Sequence, residues 1–138
     1  SLERMKTKCK LMTSRSKGGN IHQKLDRLAP VIRGWVNYFC IAAAGRPLQR
    51  LDQMLRTRLR MCIWKEWKNA KTRVRNLLKL GAKYQKAYEW GNSSKGYCRI
   101  AHSPILTTVL NNQYLHKLGY QSLLSTYKAQ TEMQPTLF

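Results

Sequence analysis

PLQRLDQMLRTRLRMCIWKEWK, residues 47–68, is the stretch that decides the fold. Leu48, Leu51, Leu55, Leu59, Cys62, Ile63 and Trp67 recur in steps of three and four, the spacing of one face of an α-helix. Arg46, Arg50, Gln53, Thr57, Arg60, Trp64 and Lys68 fall on a different face. The helix therefore separates a side that packs from a side that carries charge. Pro47 suits the first turn, where its missing N–H would have had no partner anyway.

Upstream, Asn20 is a fitting N-cap. After it Ile21, Leu25, Leu28, Ile32, Trp35 and Phe39 form a second apolar face. Pro30 falls within this run without breaking its register, which implies a kinked helix or two closely abutting ones. Gly45 reads as the stop of that helix. Downstream, Ala70, Val74, Leu77 and Leu78 mark a third helix closed by Gly81, with Lys68, Thr72, Arg75 and Lys79 on its other face. Residues 82–90 read as a short helix, 91–96 as a loop and 97–100 as a short extended piece. Ser103-Pro104 starts a helix that runs through Ile105, Val109 and Leu115 to Gly119, and Leu123, Leu124 and Tyr127 mark a last short one. The expectation is an all-α domain over residues 20–128. A basic N-terminal arm over 1–19 precedes it and a frayed tail over 129–138 follows. Lys and Arg at positions 4, 6, 8, 10, 15 and 17 against Glu3 make the arm a solvated segment that orders on a polyanion.

The 138 residues fit one domain, and 43% hydrophobic residues suffice for a core. Lys+Arg number 26 against 6 Asp+Glu, a formal net charge of +20. A compact domain so charged repels itself unless a polyanion is present. Membrane is the weaker polyanion, because no apolar run approaches the ~18–20 residues of a spanning helix. Residues 1–17 lack the apolar run of a signal peptide. The chain begins at Ser1, and the expectation is a segment of a longer polypeptide. Cys9, Cys40, Cys62 and Cys98 are widely spaced with no CxxC pair, which favours buried thiols in a reducing compartment over zinc or disulfides.

Between Arg46 and Lys83 lie twelve Lys/Arg and two acids, Asp52 and Glu66. Solvated helical faces normally intersperse Glu among such cations, and its lack here points to a phosphate-binding surface. Trp64, Trp67, Tyr84, Tyr88, Trp90 and Tyr97 lie among the charges. Trp35 and Trp67 sit on apolar stripes and read as core. Trp64 sits on the basic face and is the better candidate for stacking on unpaired bases. The six acids, at 3, 26, 52, 66, 89 and 132, show no spacing of a two-metal site, and His22, His102 and His116 are isolated. The reading is a non-catalytic domain without metal or cofactor.

Several motifs in order carry a family resemblance. Leu28-Ala29-Pro30-Val31-Ile32 runs into Arg33-Gly34-Trp35-Val36-Asn37-Tyr38-Phe39, similar to an RGWxNYF signature. Arg56-Thr57-Arg58-Leu59-Arg60 leads to Trp64-Lys65-Glu66-Trp67-Lys68, similar to an arginine-rich helix ending in WKxWK. Leu77 to Gly81, Lys95 to Ala101, Ser103 to Leu106, Asn111-Asn112 and Gly119-Tyr120 follow in order. Over residues 15–128 the chain resembles the maturase-specific domain X, or thumb, of group II intron-encoded reverse transcriptases. Cys98 departs from the pattern, which commonly has Trp there. The resemblance implies a thumb-like helical bundle of about three main helices, then a loop and shorter C-terminal helices. It implies binding of group II intron RNA in splicing and retrohoming, a hold on template–primer beside the reverse transcriptase domain of the same parent protein, and a bacterial cytoplasmic setting.

The residues expected to contact RNA are Arg33, Arg46, Arg50, Arg56, Arg60, Trp64, Lys65, Lys68, Lys71, Arg75 and Lys79, with Lys95 and Arg99 beyond the loop. Gly34 is expected to let Trp35 and a neighbouring helix approach closely. A DNA-reading helix-turn-helix would concentrate its polar residues on one recognition helix, whereas these cations spread over at least two. A structural RNA-scaffold protein differs from the maturase reading only in the motif order.

Overall fold

A computed structural model describes residues 2–14, 19–42 and 45–133, and within these the side chains of 3–14, 19–37 and 48–130. Nine helices and no strand occur among the described residues. They are α1 (Leu2–Met12), α2 (Ile21–Ala42), α3 (Gly45–Glu66), α4 (Ala70–Lys79), α5 (Tyr84–Gly91), α6 (Tyr97–Ala101), α7 (Pro104–Val109), α8 (Asn112–Leu118) and α9 (Leu123–Met133). The all-α class expected from periodicity is the class observed.

α3 is the central element. It packs against α6 and α9, and also against α1 and α2, while α9 lies along α2 and α4 pairs with α5. Leu48, Leu51, Leu55, Leu59, Cys62 and Ile63 are all buried on α3. They meet Ile21, Leu25, Leu28, Ile32 and Val36 of α2 in one core. Each such leucine removed from water contributes about 1.5–3 kcal/mol. Trp35 and Trp67, expected in the core, are half-buried and pack against its edge. Leu78 is left exposed.

The start of α2 closes in a capping box. The Asn20 Oδ1 accepts from the Gln23 N–H at 2.9 Å, and Gln23 Oε1 accepts from the Asn20 N–H at 3.1 Å. The Ile21 N–H donates to Glu66 Oε2 at 3.1 Å, so an acid at the end of α3 sits on the positive end of α2. Pro30 lies inside α2 as a single helix. Asn69, Ser103 and Asn111 cap α4, α7 and α8 with their own side chains.

Four expectations are corrected. The N-terminal arm is a helix whose Met5 and Cys9 are fully buried in the core. Its end is held by Arg58, whose Nε donates to Thr13 Oγ1 at 2.8 Å and whose other nitrogen reaches the Lys10 carbonyl at 3.1 Å. Gly45 is the first residue of α3 rather than the stop of α2. Residues 97–101 are helical, because Ile100 and Ala101 bury against the core and Gly96 gives the turn its entry. The helix expected from 104 to 118 is two, because the Leu110 carbonyl turns away to accept Arg60 Nε at 2.7 Å and Asn111 begins a new cap.

α4 and α8 end alike. The Ala82 N–H reaches the Leu77 carbonyl and Gly81 reaches Leu78, while Tyr120 reaches Leu115 and Gly119 reaches His116. Gly81 and Gly119 have φ of +99° and +120°, the backbone state this paired-bond ending needs and other residues resist.

Asp52 anchors the C-terminal helices. It is buried on α3, and its carboxylate accepts from Tyr120 Oη at 2.6 Å, Ser122 Oγ at 2.8 Å, and the N–H groups of Leu123 at 2.7 Å and Leu124 at 2.9 Å. Ser122 Oγ accepts from the Ser125 N–H at 3.3 Å. The orphan donors of the first turn of α9 are thus satisfied by one distant carboxylate and one local hydroxyl. Burial, and then the charge of Asp52, push the Tyr120 phenol well above its ordinary pKa, so it stays protonated and donates.

Asp52→Ala leaves a buried hydroxyl and two helix N–H groups without acceptors. Urea unfolding of this variant should show a loss of about 3 kcal/mol or more.

The close helix contact lies elsewhere than Gly34. A Cβ on Gly34 would meet nothing within 4 Å, whereas a Cβ on Gly91 would stand 2.5 Å from Val74 Cγ2 and 3.1 Å from its backbone nitrogen. Gly34→Ala should therefore stabilise by about 0.5–1 kcal/mol through helix propensity, and Gly91→Ala should destabilise by about 1–3 kcal/mol. The order of their thermal midpoints checks both.

Candidate nucleic-acid interface

Lys71, Arg75 and Lys79 recur every four residues on α4 and are exposed, with Lys68 one turn before them. Lys65 is exposed in the last turn of α3. The neighbouring α5 ends in a loop that carries Lys95, and α6 carries the exposed Arg99. The Lys95 ammonium lies 4.5 Å from the ring centroid of Trp90, a cation–π contact that sets the position of its charge. Arg50 is exposed and Arg56 half-buried on α3. Arg33 is exposed on α2, an element that packs on α9, α1 and α3 rather than chiefly on α4. Arg46 begins α3, and its side chain lies outside the described residues, as do Tyr38 and Phe39 of the signature.

The charge of this region stays unbalanced for a structural reason. Of the two acids between Arg46 and Lys83, Asp52 is engaged at the start of α9 and Glu66 accepts from the Ile21 N–H at the start of α2. Ion pairs among the described residues include Lys6–Glu3 at 3.7 Å and Lys86–Glu89 at 3.8 Å, both within one helical turn and exposed. Such pairs contribute about 0–1 kcal/mol. None involves the α4 stripe.

Two expected contacts belong to the core instead. Trp64 is 2% exposed, which removes it as a platform for bases. The face of α3 that spacing left cationic is covered by α6, and Arg73 of α4 closes over the indole with its guanidinium carbon 4.7 Å from the ring centroid. Arg73 Nε also donates to the Trp64 carbonyl at 3.2 Å, and its guanidinium stands 5.9 Å from the Tyr97 ring. Arg60 is buried at 7% exposure and donates to the Leu110 carbonyl at 2.7 Å and Asn112 Oδ1 at 3.0 Å. It holds the α7–α8 turn. Burial, then the neighbouring Arg56 charge, lower its pKa.

Among the described residues the exposed tyrosines are Tyr84 and Tyr88, one turn apart on α5, with ring centroids 6.3 Å apart and planes 21° from parallel. Trp90 and Tyr97 are half-buried. The thiols of Cys9 and Cys62 are buried and free, and Cys98 is exposed. Burial pushes the Cys9 thiol up to about 11, against a smaller opposing pull from Lys8. No group of three or more His, Cys, Asp or Glu able to hold a metal ion occurs among the described residues. No described helix is long and apolar enough to cross a membrane.

Fold and charge together define a small all-α domain with an unneutralised cationic surface. The chain belongs to the family described as group II intron, maturase-specific domain, whose model matches residues 2–81. The match begins with α1 and ends at the Gly81 stop of α4. No curated protein matches the chain. The family ties the chain to a maturase-related role in group II intron splicing, through a domain that is not itself catalytic.

Trp64→Ala should cost about 3–5 kcal/mol in urea unfolding, as expected for a large buried side chain. Lys71→Gln should stay within about 0.5 kcal/mol of the parent protein.

Proposed function

We propose that this chain is the RNA-binding maturase, or thumb, domain of a longer group II intron-encoded protein. It binds structured intron RNA through a basic helical surface and assists the folding that precedes splicing. It also holds template–primer beside the reverse transcriptase domain of the same parent, in the bacterial cytoplasm. The surface consists of Lys65, Lys68, Lys71, Arg75 and Lys79, continued by Lys95 and Arg99, with Arg33, Arg46, Arg50 and Arg56 as further phosphate contacts.

The observation that carries this reading is the charge of α3 and α4, whose two acids are engaged at helix starts, Asp52 buried at α9 and Glu66 on the Ile21 N–H of α2. A cation stripe with no carboxylate beside it keeps its full attraction for phosphate, and each phosphate neutralised releases a counterion. The intron RNA performs the splicing chemistry, so the protein needs only charge and matched shape. That agrees with a surface of Lys and Arg on rigid helices.

A general basic nucleic-acid-binding module would share the charge but not the preference. Binding of the chain to a structured group II intron RNA and to duplex DNA of equal length, across ~50–300 mM salt, separates the two. RNA binding that persists while DNA binding collapses supports the maturase reading. Loss of both along one steep line contradicts it. Replacing Lys71, Arg75 and Lys79 together with Gln should lower the slope of log affinity against log salt by about two to three units.

A further inference from the structure

A polar trough lies between α3 and the α7–α8 turn, outside the α4 stripe. Its volume is about 680 Å³, within the roughly 300–1,000 Å³ typical of small-ligand sites. Gln53, Arg56 and Thr57 form one wall, and Thr107, Asn112 and Gln113 form the other. A second hollow of about 460 Å³ shares Arg56, Asn112 and Gln113, and continues along α8 past Lys117. No carboxylate lines either hollow. Asp52, behind Tyr120 and Ser122, has both oxygens engaged.

The groups around the trough are set for a ligand that is partly anionic and partly a hydrogen-bonding edge. Arg56 is half-buried and makes no hydrogen bond or ion pair among the described residues. A guanidinium so placed matches a phosphate through paired N–H donors. Asn112 is held by Arg60, which can only donate. Its Oδ1 therefore faces Arg60 at 3.0 Å, and its amide N–H groups are left for another acceptor. Gln53 and Gln113 are exposed amides, able to donate and accept. Among the described Phe, Tyr and Trp residues only Tyr120 lines the walls, and it is 2% exposed, while the exposed His116 ring borders the second hollow alone. Recognition here would run through edges and hydroxyls rather than stacking.

From this geometry we infer that the trough holds one unpaired nucleotide of the bound RNA. The phosphate lies on Arg56, with Lys117 beyond it, and the base edge and ribose hydroxyl lie on the amides of Gln53, Asn112 and Gln113. An unpaired nucleotide is the fitting occupant, because its base edge is free of a pairing partner and can enter a concave site. Half of the site comes from residues beyond the stretch that matches the family, so α7 and α8 add a reading surface to a domain otherwise built for charge. The inference rests on the RNA-binding reading above.

The test uses the full chain with Gln53→Ala and Gln113→Ala combined, a change that leaves net charge untouched. Binding is measured against a structured group II intron RNA and a fully paired RNA duplex of equal length. The double variant should bind the intron RNA about tenfold more weakly, with an unchanged salt slope and unchanged duplex binding. Arg56→Gln should weaken intron binding and lower the slope by about one unit. Parent-like affinity of the double variant for intron RNA would overturn the trough as a nucleotide site, as would an equal loss on the duplex. Lys71→Gln with Lys79→Gln serves as the companion. A reduced slope there beside a silent glutamine pair sinks the trough alone, and parent-like affinity and slope in both variants sink the RNA-binding reading itself.

Discussion

The carboxylate of Asp52 is the point on which the C-terminal helices hang. A buried carboxylate is costly unless its oxygens are matched by donors. Here four donors converge on it, from the end of α8, the residue before α9 and the first turn of α9. The same contact places a negative charge at the positive end of α9, a further favourable term. Tyr120 sits just past the left-handed Gly119, so the ending of α8 and the beginning of α9 are fixed through one side chain of α3. α9 then lies along α2 and closes the core from the far side.

The engagement of both acids at helix starts shapes the outward charge. Asp52 and Glu66 interrupt an otherwise cationic stretch, and on an ordinary surface helix they would neutralise their neighbours. Instead one caps α9 and the other caps α2. The carboxylates that stabilise the fold at these helix starts form no ion pair with Lys68, Lys71, Arg75 or Lys79. Some arginines are used inward too. Arg58 fastens α1, Arg60 fastens the α7–α8 turn and Arg73 covers Trp64. Arginine serves these places well because its planar head donates in several directions at once.

The long helices and their buried faces were legible in the sequence, because Leu48, Leu51, Leu55 and Leu59, and Ile21, Leu25, Leu28 and Ile32, repeat with a helical period that packing then reinforces. The caps at Asn20 and Ser103 and the stop at Gly81 were legible for the same local reason. The burial of Trp64 and Arg60 was not, because it comes from α6 and the α7–α8 turn crossing a face that spacing alone leaves open. The packing of α1 was obscured by its four cations, although Met5, Cys9 and Met12 carry the period. The role of Asp52 was invisible, since its partners lie some seventy positions away along the chain. The family resemblance was legible from motif order, and the match over residues 2–81 bears it out. Which cations stay on the surface is set by what covers each helix, and the pattern of Lys and Arg does not carry that information.

The central claim is that acids engaged at the starts of α9 and α2 leave a cationic α4 stripe to take intron RNA. Lysine acylation of the full chain, read by mass spectrometry with and without a group II intron RNA, tests it most directly. The account expects RNA to protect Lys68, Lys71 and Lys79 while Lys6, Lys8 and Lys10 of α1 keep their reactivity. Protection of the α1 lysines with the α4 lysines left reactive would contradict it.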